Sequence, residues 1–186
     1  MKKVCELGRS MVEMLGVLAI IGVLSVGGIA GYSKAMLKHK INTTLDIVSG
    51  VIAKITELQV SDSLTGDIDV EDAPKIGLDC DLYFDEHYNG HKCKLPIGGY
   101  QFESSTNGST YFIIHPTNDF AVDMCNAFFT SGIYKHLHSY GLIRIDSPYS
   151  IELFSPEDMT NINMSQISNA CTAACGEGWC TIDVYW

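Results

Sequence analysis

Residues 8–33 read GRSMVEMLGVLAIIGVLSVGGIAGYS, and the part from Met14 to Ser33 contains no charged side chain. As a helix, those residues span roughly 30 Å, the hydrocarbon thickness of a bilayer, so they predict one membrane crossing. Glu13 lies directly before this apolar run. A carboxylate next to lipid costs on the order of 3 kcal/mol on insertion scales, so it normally marks a contact with a partner charge. Glu13 is therefore the first candidate functional residue.

Two local interactions would also account for Glu13. Ser10 and Glu13 have the spacing of a capping box at a helix start, and Arg9 lies four residues before Glu13 on the same helical face. Neither interaction explains residues 1–8, which carry two lysines but no apolar block. A secretory signal places its apolar block before the cleavage site, whereas here the apolar block follows Gly8.

A short basic leader that ends in Gly8, followed by Glu13 and an apolar helix, resembles the precursors of type IV pilins and type II secretion pseudopilins. The resemblance covers residues 1–33. It implies cleavage between Gly8 and Arg9 by a prepilin peptidase, N-methylation of the new Arg9 amine, and a role for Glu13 in assembly. The first mature residue of the family is usually apolar, so Arg9 departs from the pattern.

The same resemblance implies how subunits associate. The Glu13 carboxylate of one subunit would meet the Arg9 amine of its neighbour, and the pairing would remove two poorly solvated charges at once. Small residues let helices approach closely in lipid, and a simple transmembrane dimer would use them in the same way. The candidate packing residues are Gly16, Gly22, Gly27 and Gly31.

The cysteines indicate on which side of the membrane the large domain lies. Lysines flank both ends of the apolar run, so the distribution of positive charge does not decide the orientation. Cys5 belongs to the leader, and the other cysteines all follow the membrane segment. An even set of cysteines outside the cytosol predicts up to three disulfides and an extracytoplasmic domain. These cysteines are Cys80, Cys93, Cys125, Cys171, Cys175 and Cys180.

Beyond the membrane the helix is expected to continue, because apolar residues recur at spacings of three and four. This stripe comprises Leu37, Ile41, Leu45, Val48, Ile52, Ile55 and Leu58. The predicted organisation is a leader (1–8), a transmembrane and assembly segment (9–33), the amphipathic half of the same helix (34–60) and a globular domain (61–186). The predicted fold is α+β and pilin-like: the resemblance implies that the outer half of the helix lies across an antiparallel sheet.

The charge of the chain argues against one class of partner. The formal net charge is −10, and removal of the leader, which carries +1, would make it −11. A surface this acidic does not favour general binding of nucleic acids.

Two metal sites are weighed and not favoured, so no metal or other cofactor is expected. Residues 61–99 are predicted to be irregular and contain many carboxylates, which suit calcium, but they show no ordered ligand pattern. A solvated acidic loop is the preferred interpretation. Cys80, His87, His91 and Cys93 are zinc-type ligands, but their spacing matches no common zinc module.

The remaining elements follow from local signals. Asn107-Gly108 predicts a hairpin, Gly132 predicts the end of a helix, and Ser155-Pro156 predicts the start of another. The expected strands are Tyr100–Ser105, Thr110–His115, Leu142–Ser147, Tyr149–Phe154 and a last strand through Ile182, Val184 and Trp186; the expected helices are Asn118–Thr130 and Ser155 to about Ala170.

A cysteine on a helix, Cys125, followed much later by Asn169-Ala170-Cys171 and a short strand, resembles the type IVb branch of pilins. There a disulfide closes the carboxyl-terminal region. The preferred pairing is Cys125 with Cys171, Cys175 with Cys180 and Cys80 with Cys93; an exchange of Cys171 and Cys175 is a close second.

No enzymatic function is predicted, because His136 and His138 are isolated and no nucleophile lies in a recognisable motif. The preferred function is a pilin or minor pilin of a type IV pilus-like filament. The expected partners are identical or related subunits, a prepilin peptidase, an assembly platform in the bacterial inner membrane, and lipid. A type II secretion pseudopilin is the alternative, and a membrane-anchored extracytoplasmic binding module is the alternative of another class. Adhesion, DNA uptake, conjugation, motility and secretion share this subunit plan.

Overall fold

The structure, a computed structural model, describes residues 6–61, 66–86, 89–105, 109–136, 141–148, 151–176 and 179–186; for residues 6–10 and 136 it describes the backbone only. The chain divides into two compact units, Met1–His39 and Lys40–Trp186.

The first element is the long helix α1 (Glu6–Val60). The described strands are β1 (Ile68–Asp69), β2 (Leu82–Asp85), β3 (Gly90–Leu95), β4 (Gly98–Ser104), β5 (Thr110–His115), β6 (Leu142–Asp146), β7 (Ile151–Phe154) and β8 (Thr181–Tyr185). The further helices are α2 (Ala121–Ser131), α3 (Pro156–Asn161) and α4 (Met164–Cys175), with short 3-10 turns at Val70–Asp72, Asn118–Phe120 and Ile133–His136.

The strands form one antiparallel sheet in the order β2-β3-β4-β5-β8-β6-β7, and β1 pairs with the far end of β4. Strand β8 therefore lies between β5 and β6, although it comes last in sequence. Ile182 of β8 is the partner of Ile114 on one side and of Ile145 on the other. The α+β fold, with a long amino-terminal helix and an antiparallel sheet, is confirmed.

The core of the second unit lies between the outer part of α1, one face of the sheet, and α2 and α4. Helix α1 contributes a buried stripe, and β4, β5, β6 and β8 contribute alternate residues. The buried side chains of α1 are Val48, Val51, Ile52 and Ile55. The stripe from Ile41 to Ile55 is thus the core-facing side of α1, as its spacing predicts.

A polar contact secures the end of α1 to the sheet. The Gln59 side-chain amide donates to the Thr110 hydroxyl, and its carbonyl accepts from the indole N–H of Trp186 at 2.8 Å. The backbones of Thr110 and Trp186 also pair, at 2.9 and 3.0 Å. Both ends of the Gln59 amide therefore have partners in this half-buried position.

The prediction that residues 61–99 are irregular is wrong. This segment forms β1, a 3-10 turn, the hairpin of β2 and β3, and the first two residues of β4. Leu82 and Tyr83 pair with Cys93 and Lys92 across the hairpin. Charged residues on the face of the sheet that points away from the core interrupt the apolar alternation by which strands are usually recognised. Cross-strand pairs nevertheless stabilise the hairpin.

The single helix expected from Ser155 to about Ala170 is also wrong, because two helices lie there. Ser155 and Asp158 form a capping box at the start of α3, as predicted for Ser155. Ile162 then has an extended backbone, and Asn163 and Gln166 form a second capping box that starts α4. A cap within a helical pattern ends one helix and begins the next. Helix α2 ends as expected, with Gly132 left-handed at φ +69°.

Three disulfides fasten the second unit, and their pairing is the one that the sequence analysis preferred. Cys125–Cys171 joins α2 to α4, Cys175–Cys180 joins α4 to the start of β8, and Cys80–Cys93 fastens the β2–β3 hairpin. The predicted turn residues 106–108 and Tyr149 lie outside the described residues, as do Cys5, His87 and His138.

Candidate assembly surface

Glu13 lies in α1 and its side chain is exposed within this single chain. The backbones of Gly8 and Arg9 belong to the first turns of the same helix, and their side chains lie outside the described residues. The Gly8–Arg9 bond thus lies close to Glu6, the first described residue of α1.

The apolar segment of α1 is exposed on all sides. Twelve aliphatic and methionine side chains from Met11 to Ile29 are each more than half exposed. Since full burial of such a side chain is worth about 1.5 to 3 kcal/mol, burying the set is worth on the order of 20 kcal/mol. That exceeds the whole stability of a typical domain, about 5 to 15 kcal/mol. The segment therefore requires lipid or other helices around it.

The polar groups of this segment fit a non-aqueous surrounding. The Ser25 hydroxyl donates to the backbone carbonyl of Ile21 at 2.7 Å, and the Ser33 hydroxyl donates to that of Ile29 at 3.0 Å. A helix satisfies its own backbone groups in lipid, and these two side chains are satisfied in the same way.

The candidate packing glycines do not all lie on one face. Gly31 follows Glu13 by about five helical turns, so both residues lie at the same angle around the helix axis. Gly16 and Gly27 lie within roughly 60° of that angle. Gly22 lies on the opposite side of the helix. A Cβ added at any of these glycines would meet nothing within 4 Å. Glu13 thus shares its face with three positions where a neighbouring helix can approach closely.

The metal sites weighed from sequence have other arrangements in the structure. Cys80 and Cys93 form a disulfide, so neither offers a thiolate to zinc. In the acidic segment, Asp69 caps the 3-10 turn and Asp72 pairs with Lys75. Within the described ranges, no group of three His, Cys, Asp or Glu side chains is close enough to hold a metal ion.

Sequence reasoning missed a second polar cluster, on the outer face of the sheet. Tyr83 lies opposite Lys92, and Gly99 lies opposite His115. These residues lie on four consecutive strands, β2 to β5, and the register of the strands, not a local sequence spacing, sets which of them share a face. Register alone brings them together.

In the part of the chain that the structure describes, α1 is the one helix long and apolar enough to cross a membrane, judged by length and composition. Comparisons with known protein families, with curated proteins and with solved structures found no match for this chain. The function proposed below therefore rests on residues 8–33 and on the fold.

Proposed function

We propose that this chain is a structural subunit, a pilin or minor pilin, of a type IV pilus-like filament. The precursor is held in the bacterial inner membrane by α1, with the globular domain outside the cytoplasm. A prepilin peptidase cleaves after Gly8, the new Arg9 amine is methylated, and an assembly platform transfers the subunit from lipid into the filament. The α+β fold, with its long apolar helix and its disulfide-linked domain, is compatible with this role.

The exposed apolar segment carries the proposal. Its requirement for a non-aqueous surrounding is met first by lipid and then by the helices of other subunits. The lysines that flank the apolar run would suit a simple membrane anchor equally well, but an anchor needs no acid at its margin. Glu13 is the feature that favours a filament over a simple membrane anchor.

Glu13 acts through a charge pair in this proposal. In lipid, both the carboxylate and the Arg9 amine of the next subunit are poorly solvated, so each gains when the other approaches. The glycines on the Glu13 face permit that approach because they present no side chain to the neighbouring helix. Gly22, on the opposite side, suits contact with another neighbour.

Glu13→Gln is the central test, because it removes the charge and keeps the shape. We expect processing and membrane insertion to continue and filament yield to fall at least tenfold. Glu57→Gln is the matched control, since Glu57 is an exposed residue of the same helix that pairs with Lys54 at 3.1 Å. Quantitative immunoblots of sheared filaments and of membranes give both readouts. Normal filament yield from Glu13→Gln would overturn the pairing role.

Intact-mass measurement of the protein from its native host tests the earlier step. The proposal expects a chain that begins at Arg9 and carries one added methyl group. Gly8→Val should leave the leader, including Cys5, attached. A native chain that keeps residues 1–8 and never polymerises would favour the membrane-anchored binding module, and recovery only with a secretion apparatus would favour a pseudopilin.

A further inference from the structure

Strand β7 forms one edge of the sheet. Among the described strands, β6 is its only neighbour. An edge strand leaves every second N–H and C=O group without a strand partner, and such a row can pair with a strand of another polypeptide. The open side of β7 is therefore a candidate binding surface in the second unit of the chain.

The register of the sheet identifies which groups of β7 face this open side. The backbones of Thr110 and Trp186 bond to each other, so every second residue of β8, counted back from Trp186, faces β5 and the residues between face β6. The same alternation, continued through β6, directs the N–H and C=O groups of Glu152 towards β6. Those of Ile151 and Leu153 therefore point away from the sheet.

A groove of about 700 Å³ runs along this edge. Its lining includes Glu152, Leu153 and Phe154. Side chains of consecutive strand residues point to opposite faces, so a groove that contacts all three lies along the edge itself. Helix α4 lines the groove with one face, on which Ala170 and Ala173 are small. The groove therefore has room beside β7 for an extended chain.

The charge of the groove is negative. Its described lining contains three carboxylates, those of Glu152, Glu157 and Asp158, and no lysine, arginine or histidine. The Asp158 carboxylate also caps α3 and accepts a hydrogen bond from the Ser155 hydroxyl at 2.6 Å. Glu157 is exposed in the first turn of the same helix. Electrostatic complementarity therefore favours a partner that carries positive charge.

The same carboxylates disfavour a second copy of this chain as the partner. Two β7 strands side by side would bring like charges such as Glu152 together, which weakens a strand pair. The described chain also presents no open strand of opposite charge. Its lysines at a spacing of two are Lys38 and Lys40, in helix α1, and Lys92 and Lys94, in β3 between β2 and β4. The fitting partner is therefore another protein.

We propose that β7 and its groove bind an extended segment of another protein in which lysine or arginine alternates with β-branched apolar residues. The segment adds one strand to the sheet and bonds to the outward N–H and C=O groups of Ile151 and Leu153. Their side chains are 58% and 56% exposed on the outer face, so apolar residues of the segment pack beside them. The residues between point to the opposite face, where Glu152 and Glu157 meet the cationic side chains.

Fluorescence anisotropy tests the proposal with the full chain in a polyoxyethylene detergent. The probe is the labelled peptide Thr-Lys-Val-Lys-Val-Lys-Thr with blocked ends. One comparison peptide has glutamate in place of lysine, and two others are N-methylated at the valines or at the lysines. We expect the probe to bind with a dissociation constant of about 100 μM. The glutamate peptide and at least one N-methylated peptide should bind at least tenfold more weakly, because charge and backbone pairing are both required.

Three peptide results would overturn the proposal. Absence of binding by the lysine peptide removes the ligand. Equal binding by the glutamate peptide removes the role of charge. Equal binding by both N-methylated peptides shows that charge alone attracts the probe to an acidic chain and that no strand is added.

Substitutions in the chain locate the binding. Leu153→Pro removes an outward N–H and leaves the bonds to β6 in place, so it should weaken binding at least tenfold. Leu153→Ala is its matched control, because it keeps that N–H, and its affinity should stay within threefold of the original. Glu157→Gln should weaken binding about threefold. Asp123→Asn is the control for charge, because Asp123 lies in the first turn of α2 and outside the groove, and it should have no effect.

A further variant keeps the test valid if a melting curve shows that Leu153→Pro does not fold. Ala173→Leu fills the groove from an exposed position of α4 and should cause the same loss of binding. Unchanged affinity in Ala173→Leu, or in a folded Leu153→Pro, would overturn the assignment of the site. Self-association that Leu153→Pro abolishes, without binding of the probe, would identify a second copy as the occupant and would also overturn the proposal.

Discussion

Removal of the Cys125–Cys171 disulfide should cost the domain more stability than removal of either of the others. The bond joins α2 to α4 and closes a loop with a sequence separation of 46. In the chain-entropy description, a crosslink restricts the unfolded chain by an amount that grows with the logarithm of loop length. For this loop the free energy of unfolding should fall by about 4 kcal/mol in the double variant Cys125→Ala/Cys171→Ala.

The other two disulfides provide internal controls on loop length. Their sequence separations are 13 and 5. The same relation gives losses of about 3 and about 2 kcal/mol respectively. The corresponding double variants are Cys80→Ala/Cys93→Ala and Cys175→Ala/Cys180→Ala.

Urea unfolding of the detergent-solubilised chain, followed by near-ultraviolet circular dichroism without reductant, measures all three losses. The order of the three values is the test, because errors in the reference state affect each double variant alike. The prediction is wrong if the short Cys175–Cys180 loop proves as costly to open as the Cys125–Cys171 loop. Loop closure would then not be the main contribution of these bonds.

Three further predictions concern single residues of the second unit. Burial lowers the pKa of His115 to about 3, against about 6.5 in an unfolded chain. The unfolded chain alone therefore takes up this proton as the pH falls from 6.5 towards 3, and stability should drop by about 1.4 kcal/mol per pH unit; His115→Gln should lose this share of the slope in urea titrations at several pH values. Gly98→Ala should cost at least 2 kcal/mol, roughly, from its positive φ and its clash, and Gly77→Ala only about 1, since a Cβ at Gly77 meets nothing within 4 Å; equal melting temperatures would contradict this. Gln59→Leu should cost about 1 to 3 kcal/mol because two polar partners lose their contact, whereas Glu57→Gln, in an exposed ion pair, should cost under about 1.

The elements that the sequence predicted well are those with local signals. Thr110–His115 alternates cleanly and is followed by proline, and it forms β5 with those bounds. Gly132 marks the end of α2 because a left-handed residue there favours glycine. The length of the apolar run in α1 is enough to predict a helix that can span a membrane.

The elements that the sequence did not predict depend on pairing over long distances. Nothing in residues 181–185 indicates that their neighbours are β5 and β6, because register is set by both partners together. The hairpin of β2 and β3 was not predicted because charged residues within both strands interrupt the alternation of apolar and polar residues. Glu13 could be identified from a local sequence motif. That Lys92 and His115 lie on one face of the sheet could be seen only once the register of the strands was known.

The place of β8 has a consequence for folding. Among the described strands, β1 to β5 form one hydrogen-bonded group and β6 and β7 form another, and β8 pairs with both. Until residues 181–185 are in place, β5 and β6 each lack the partner that β8 supplies, so the two groups cannot join into one sheet. The docking of β8 against both groups is therefore the long-range contact on which closure of the sheet depends, and such contacts form slowly because they are distant in sequence.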